Sequence, residues 1–302
     1  MIYNSLNNTD ITISEFGFGA SPFGNIYNKP ISDEEAYQCI KLAIDNGINY
    51  FDVAPYYGQG IAEKKLAKAL GKQAKEIILS TKVGRYGKQD FDFSAKKIEQ
   101  SIQYSLQLFS REYLDIVFCH DIEFVDSKTI LSIALPTLSK LKEKGLIKAI
   151  GISGYPLKTL YNTAQQFPLD IILTYSQYTL INQTLKLYEQ KFQQLGIDII
   201  NASPFDMGLL TTKNCPKWHP ATESIKKEVK HLLNECQKKA ISLEKLAFQY
   251  SLAYKFPLSH LTGIGSLTDL KQCLKWYQTS LDTPSLNTIK TLLHNNEIRT
   301  LK

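Results

Sequence analysis

Three phrases in the sequence share one grammar: NGINYFD (46–52), KGLIKAIG (144–151) and LGIDIIN (195–201). In each, a helical stretch stops on a glycine (Gly47, Gly145 or Gly196) and the chain runs at once into an apolar segment. Glycine closes a helix because it takes the left-handed backbone without a steric penalty. The runs IILSTKV (77–83), LDIVFCH (114–120), IKAIGIS (147–153), DIILTYS (170–176) and DIINASP (198–204) begin apolar and end in small or polar residues. Near-continuous apolar runs of this kind suit parallel strands covered on both faces. FGFGAS (16–21), NYFDVA (49–54) and HLTGIG (260–265) obey the same rule.

Helical patterns fill the intervals. Ser32 and Glu35 are spaced as a capping box before a stripe of Ala36, Ile40, Ala43 and Ile44. Ser94 precedes a second stripe of Ile98, Ile102, Leu106 and Phe109. Strand and helix alternate about eight times in 302 residues, which predicts an α/β chain folded as one (β/α)8 TIM-barrel domain over residues 1–302. An open dinucleotide-binding sheet is rejected, because GFGASPFG has Gly17 and Gly19 but Pro22 where G-x-G-x-x-G needs its third glycine. Two segments fall outside the repeat. Residues 1–13 are expected to form a hairpin capping the barrel bottom, and residues 206–240 a long loop over the face where barrels carry their chemistry.

Composition excludes several classes. Hydrophobic residues make up 43% and charged residues 21%, the balance of an ordinary globular protein. No apolar run approaches the roughly 18 residues a membrane span needs, and the N-terminus lacks a signal-peptide pattern, so a cytoplasmic protein without membrane contact is expected. The formal charge of +6 is dispersed, unlike the concentrated basic stripe of a nucleic-acid binder. Five cysteines without a C-x-x-C pair argue for free thiols rather than disulfides or structural zinc. Nothing in the sequence specifies an oligomeric state.

The segment VFCHDIEF (117–124) ends a buried strand in His120 and Asp121, open to reading as a metal site, a catalytic base or a plain loop start. A metal is the weak reading, since His219, His231, His260 and His294 form no strand-end cluster and no H-x-H pair occurs. Strand alternation turns Cys119 away from His120 and makes it packing. In a barrel, strand ends converge on one mouth. Asp52, Lys82 and His120 occupy such ends, and Tyr57 follows Asp52 in the loop APYYG. A tyrosine of pKa about 10 is a poor acid–base catalyst unless a neighbouring ammonium favours the phenolate. A buried lysine needs a carboxylate, which Asp52 supplies, and His120 is suited to hydrogen-bond a substrate oxygen.

The order Asp52, Tyr57, Lys82, His120, in the settings YFDVAPYYG, LSTKVG and FCHDIEF, resembles the tetrad of the aldo-keto reductases. HDIEF, ILTYSQY and ASPFDMGLL followed by WHPA further resemble the L-galactose and aldose 1-dehydrogenase members. The resemblance implies Tyr57 as general acid/base, Lys82 as its partner, Asp52 as partner of Lys82, and His120 as the group that orients substrate. It implies a nicotinamide cofactor along Gly19, Ala20, Ser21, Ser153, Tyr175, Ser203, Phe205, Met207, Gly263, Gly265, Ser266, Asp269 and Gln272. Beside the substrate it implies Tyr56, Phe124, Trp218 and His219. Gly154, Tyr175, Ala202 and Cys273 depart from residues common in the family. The stretch GIGSLTDL has no cation to grip a 2′-phosphate and carries Asp269 instead, which favours NAD over NADP.

The expected reaction is oxidation of the anomeric hydroxyl of an aldose, L-galactose or a related sugar, to a lactone without a metal. The alternatives are an aldehyde or ketone reductase or pyridoxal-type dehydrogenase on the same scaffold, or a nicotinamide-binding sensor with little turnover.

Overall fold

The computed structural model describes residues 1–26, 30–213 and 215–295; the side chains of residues 294 and 295, and with them His294, lie outside the description. A short antiparallel hairpin, β1 (Tyr3–Ser5) and β2 (Thr12–Ser14), precedes the barrel. Eight parallel strands follow: β3 (Phe16–Gly19), β4 (Tyr50–Asp52), β5 (Ile78–Val83), β6 (Leu114–Cys119), β7 (Ile147–Gly154), β8 (Ile171–Tyr175), β9 (Asp198–Ala202) and β10 (Ser259–Gly263). They close in sequence order, with β10 pairing β3. This is the (β/α)8 barrel the alternating pattern predicts.

Two apolar layers explain why the strands read as continuous apolar runs. Inward residues such as Ile116, Phe118, Ala149, Ile171, Leu173 and Leu261 fill the barrel interior. Their neighbours Val117, Cys119, Ile150, Ile152 and Ile172 face the surrounding helices. Cys119 therefore packs outward, and the described cysteines are all free thiols. The hairpin contributes Leu6, Ile11 and Ile13 to the interior layer. It is tied to the starts of the strands by Asn7, which donates to Asp198 at 2.7 Å, and by the Lys148–Asp10 ion pair.

Helix α1 (Asp33–Asp45) starts where the Ser32 hydroxyl accepts the Glu35 N–H at 3.1 Å. The other half of the expected capping box is absent, because the Glu35 carboxylate accepts the Leu267 N–H at 3.0 Å from the neighbouring helix that follows β10. Helix α2 (Ile61–Leu70) follows Gly60, and α3 (Ala95–Leu108) is capped by Ser94. The segment 206–240 differs from the expected loop. After a tight turn at Asp206–Gly208, the chain forms a 16-residue helix, Glu223–Lys238, capped by Thr222. Its inner face carries Val229, Leu232 and Cys236, with Ile225 and Leu233 half-buried beside them, an amphipathic spacing at odds with the expected loop. No helix among the described residues is long and apolar enough to cross a membrane.

Candidate active site

Strand register brings the four ionisable groups to one mouth. Gly19 is level with Asp52, Asp52 with Ser80, and Lys82 with Phe118, so the last residues of β3 to β6 rise together. Lys82 Nζ donates to Asp52 Oδ1 at 2.5 Å and to the Val53 carbonyl at 3.0 Å. The second Asp52 oxygen accepts the Ser80 hydroxyl at 2.6 Å. Both members of the pair are buried. Burial pushes the Asp52 carboxyl up, while the Lys82 ammonium and the Ser80 hydroxyl oppose it. The Lys82 ammonium lies 5.0 Å from the centre of the Tyr57 ring, where its field favours a phenolate.

The Tyr57 and Tyr56 rings each stand 5.7 Å from His120, edge to face. Burial holds the His120 imidazole well below its ordinary pKa, and the charges of Lys82 and Arg85 push the same way. At neutral pH this ring is uncharged and can donate one hydrogen bond without carrying a charge. The loop holding Tyr57 is fixed by a backbone crossing. A Cβ on Gly24 would lie 2.5 Å from the Tyr57 carbonyl carbon, and one on Gly58 would lie 2.4 Å from the Gly24 oxygen. Only two glycines permit that approach. Neither was legible as a site residue, since the contact joins two loops distant in sequence.

Sequence reading also missed an ion pair at the rim. Arg85 bonds Asp121, whose carboxylate lies 3.5 Å from His120 Nε2. The guanidinium sits 3.9 Å from the Tyr56 ring centre, 5.2 Å from Phe91 and 5.1 Å from Phe124. Tyr56 and Phe124 thus flank the mouth together. Glu123 accepts the Tyr155 N–H at 2.8 Å, and its second oxygen would stand 2.4 Å from a Cβ on Gly154. The departure at Gly154 therefore has a steric cause: Glu123 fills the space a side chain there would need.

The remaining expected residues divide. Gly19, Ala20 and Ser21 line one side of the mouth, with the Gly19 carbonyl accepting the Ile264 N–H at 3.1 Å and the Ala20 N–H donating to the Asp52 carbonyl at 2.8 Å. Ser153 ends β7 beside Asp121, its hydroxyl 3.4 Å from the Asp121 N–H, and Tyr175 ends β8 against Tyr155. Ser203 and Met207 adopt left-handed backbone at the end of β9. Phe205 is turned away from the mouth, packed with Phe248 and Trp276. Trp218 reaches across to the Ile26 carbonyl at 3.2 Å. His219 differs from expectation: both ring nitrogens are spent on backbone, at Asp206 O (2.9 Å) and Ala221 N (3.1 Å), so it staples its loop and leaves no nitrogen for a substrate.

The segment after β10 has the donor set for an anionic cofactor. Gly263 and Gly265 precede Ser266, which caps the helix Leu267–Tyr277 by accepting the Asp269 N–H at 3.1 Å. A helix start approached through glycines can present backbone N–H groups to phosphate, although here the Leu267 N–H is taken by Glu35 and the Asp269 N–H by Ser266. Pro22 faces these glycines, 3.5 Å from where a Cβ on either would lie. Gln272 is half-buried on the same helix. The stretch GIGSLTDL itself holds no cation, but Lys213, from the loop after β9, bonds Asp269 at 2.6 Å and brings one to it. No local motif announces a partner so far away in sequence.

A barrel with a buried lysine–aspartate pair beneath a tyrosine, facing a neutral histidine, is the arrangement of an oxidoreductase acting on CH–OH and C=O groups. Residues 15–294 match the Aldo/keto reductase family, and the chain belongs to it. It is 39% identical over 274 residues to L-galactose dehydrogenase of Arabidopsis thaliana, covering 89% of this chain and 85% of that protein. D-arabinose 1-dehydrogenase of Saccharomyces cerevisiae is 31% identical over 277 residues, covering 84% and 81%. Among solved structures, the aldo-keto reductase from Bacillus halodurans in its holo form superimposes with a TM-score of 0.80 at 25% identity, covering 97% of this chain and 96% of that one.

Proposed function

We propose that the protein is an NAD-dependent dehydrogenase that converts the anomeric hydroxyl of a cyclic aldose, L-galactose or a close relative, into a lactone. The observation that carries this reading is the Lys82–Asp52 pair, buried and 2.5 Å long, lying against Tyr57 opposite an uncharged His120. NAD, when bound, supplies the hydride acceptor. Tyr57 takes the hydroxyl proton, Lys82 stabilises the phenolate that accepts it, and Asp52 keeps Lys82 charged out of water. His120 holds the substrate oxygen as its bond to carbon gains double-bond character. Ser153 and Tyr175 lie at the strand ends where the nicotinamide would be held, and Gly263 to Ser266 would take the pyrophosphate. Tyr56, Phe124 and the Arg85–Asp121 pair form the rim an aldose would cross.

The Asp269 carboxylate disfavours a 2′-phosphate, and Lys213 weakens that repulsion without removing the carboxylate. Initial rates with a panel of aldoses and aldehydes, each under NAD and NADP, test the reading. The expected result is fastest turnover of an aldose with NAD. A preference for aromatic aldehydes with NADPH contradicts it.

A further inference from the structure

Outside the barrel mouth, a cavity of about 780 Å³ opens between α2 and α3 under the loop 86–90. That volume falls within the range of small-molecule sites. Three cations reach it from three different elements: Lys64 from α2, Lys88 from the loop and Lys97 from α3. None forms an ion pair among the described residues, whereas Lys41, Lys68, Lys142 and Lys148 each meet an aspartate. Lys97 instead rests 4.6 Å from the centre of the Tyr86 ring.

The acids at the cavity offset these charges only in part, with Asp92 also in the field of Lys97. Glu63 is buried, with one oxygen taken by the Thr81 hydroxyl at 2.9 Å and the Ser105 hydroxyl at 3.2 Å. Burial pushes its carboxyl up to about 7, so it carries less than a full charge at neutral pH. Asp90 is the remaining acid of the lining. The first turn of α2 adds little here, because its Ile61 and Ala62 N–H groups already bond the Gly58 and Tyr57 carbonyls at 3.2 Å.

We propose that this cavity binds a phosphate-bearing small molecule, separately from the cofactor and substrate. A phosphate dianion matches three unpaired ammonium groups better than a single carboxylate does, and Gln59 and Gln100 supply amide partners for the polar remainder. Pro55, Gln59 and Gly60 form part of the wall, so the occupant lies behind the loop that carries Tyr57.

Calorimetric titration of the full chain with sorbitol 6-phosphate, which has no anomeric hydroxyl to enter the reaction at Tyr57, at constant ionic strength and with saturating NAD, tests the site. Sorbitol is the uncharged control. The expected result is saturable binding of the phosphate ester, none of sorbitol, and an affinity weakened at least about tenfold by the double substitution Lys88→Gln/Lys97→Gln. Lys88 is exposed and Lys97 half-buried, and an unchanged melting temperature will show the variant folded. Three results would overturn the proposal: no saturable binding, equal affinity in the variant, or binding in the absence of NAD that NAD displaces.

Discussion

Lys82 shows how much one residue carries. Its ammonium touches Asp52 on one side and faces the Tyr57 ring on the other, with almost no water access. Replacing it by methionine keeps the volume but strands a buried carboxylate. Such a break costs about 3–5 kcal/mol. Lys82→Met is therefore predicted to lower unfolding stability by that amount in urea titrations at neutral pH, beyond any effect on turnover. A variant as stable as the parent would mean that the pair does not need its charge. The tetrad was legible because each member sits at a strand end or just beyond it, in a short recognisable phrase. Arg85 and Asp121 were not, because their bond depends on how the chain after β5 folds back, with Arg85 bridging to Phe91.

At the scale of elements, Glu63 ties α2 to β5 and α3 through Thr81 and Ser105. Its carboxyl is raised from 4.5 to about 7 by burial. The folded chain then holds a proton in that window that the unfolded chain has released. The stability this contributes is complete below the ordinary glutamate value and disappears as pH rises through the folded value. The shift corresponds to roughly 3 kcal/mol at most. Glu63→Gln carries no such proton, so it should gain stability relative to the parent between about pH 5 and pH 8, by up to that amount. Urea midpoints at the two pH values check this, and parallel curves would refute it.

The strand sequence was readable because burial on both faces leaves a continuous apolar signal. The helix Glu223–Lys238 was missed, because it is one of two helices between β9 and β10 and so falls outside the one-helix-per-strand repeat. Glu35 was half-readable: its spacing from Ser32 gave the helix start, but the direction of its carboxylate depends on the distant Leu267.

Over the whole molecule, the closed barrel sets β3 beside β10, so the two ends of the sequence build one side of the proposed cofactor site. Lys213 and Asp269 meet there from different loops. If Asp269 sets the preference for NAD, Asp269→Ser keeps Lys213 and removes the repulsion, and NADP affinity should rise at least about tenfold while NAD affinity changes less. Fluorescence titration with both cofactors measures it, and unchanged NADP binding would assign the preference elsewhere.

The central claim concerns paired movements of one proton and one hydride around Tyr57. L-galactose carrying deuterium at C1, incubated with NAD, tests it most directly. The account predicts deuterium on the reduced nicotinamide, and a rate that falls by about 10²–10⁴-fold in Tyr57→Phe while NAD still binds. Reduced cofactor without the label, or a phenylalanine variant that turns over at the parent rate, would contradict it.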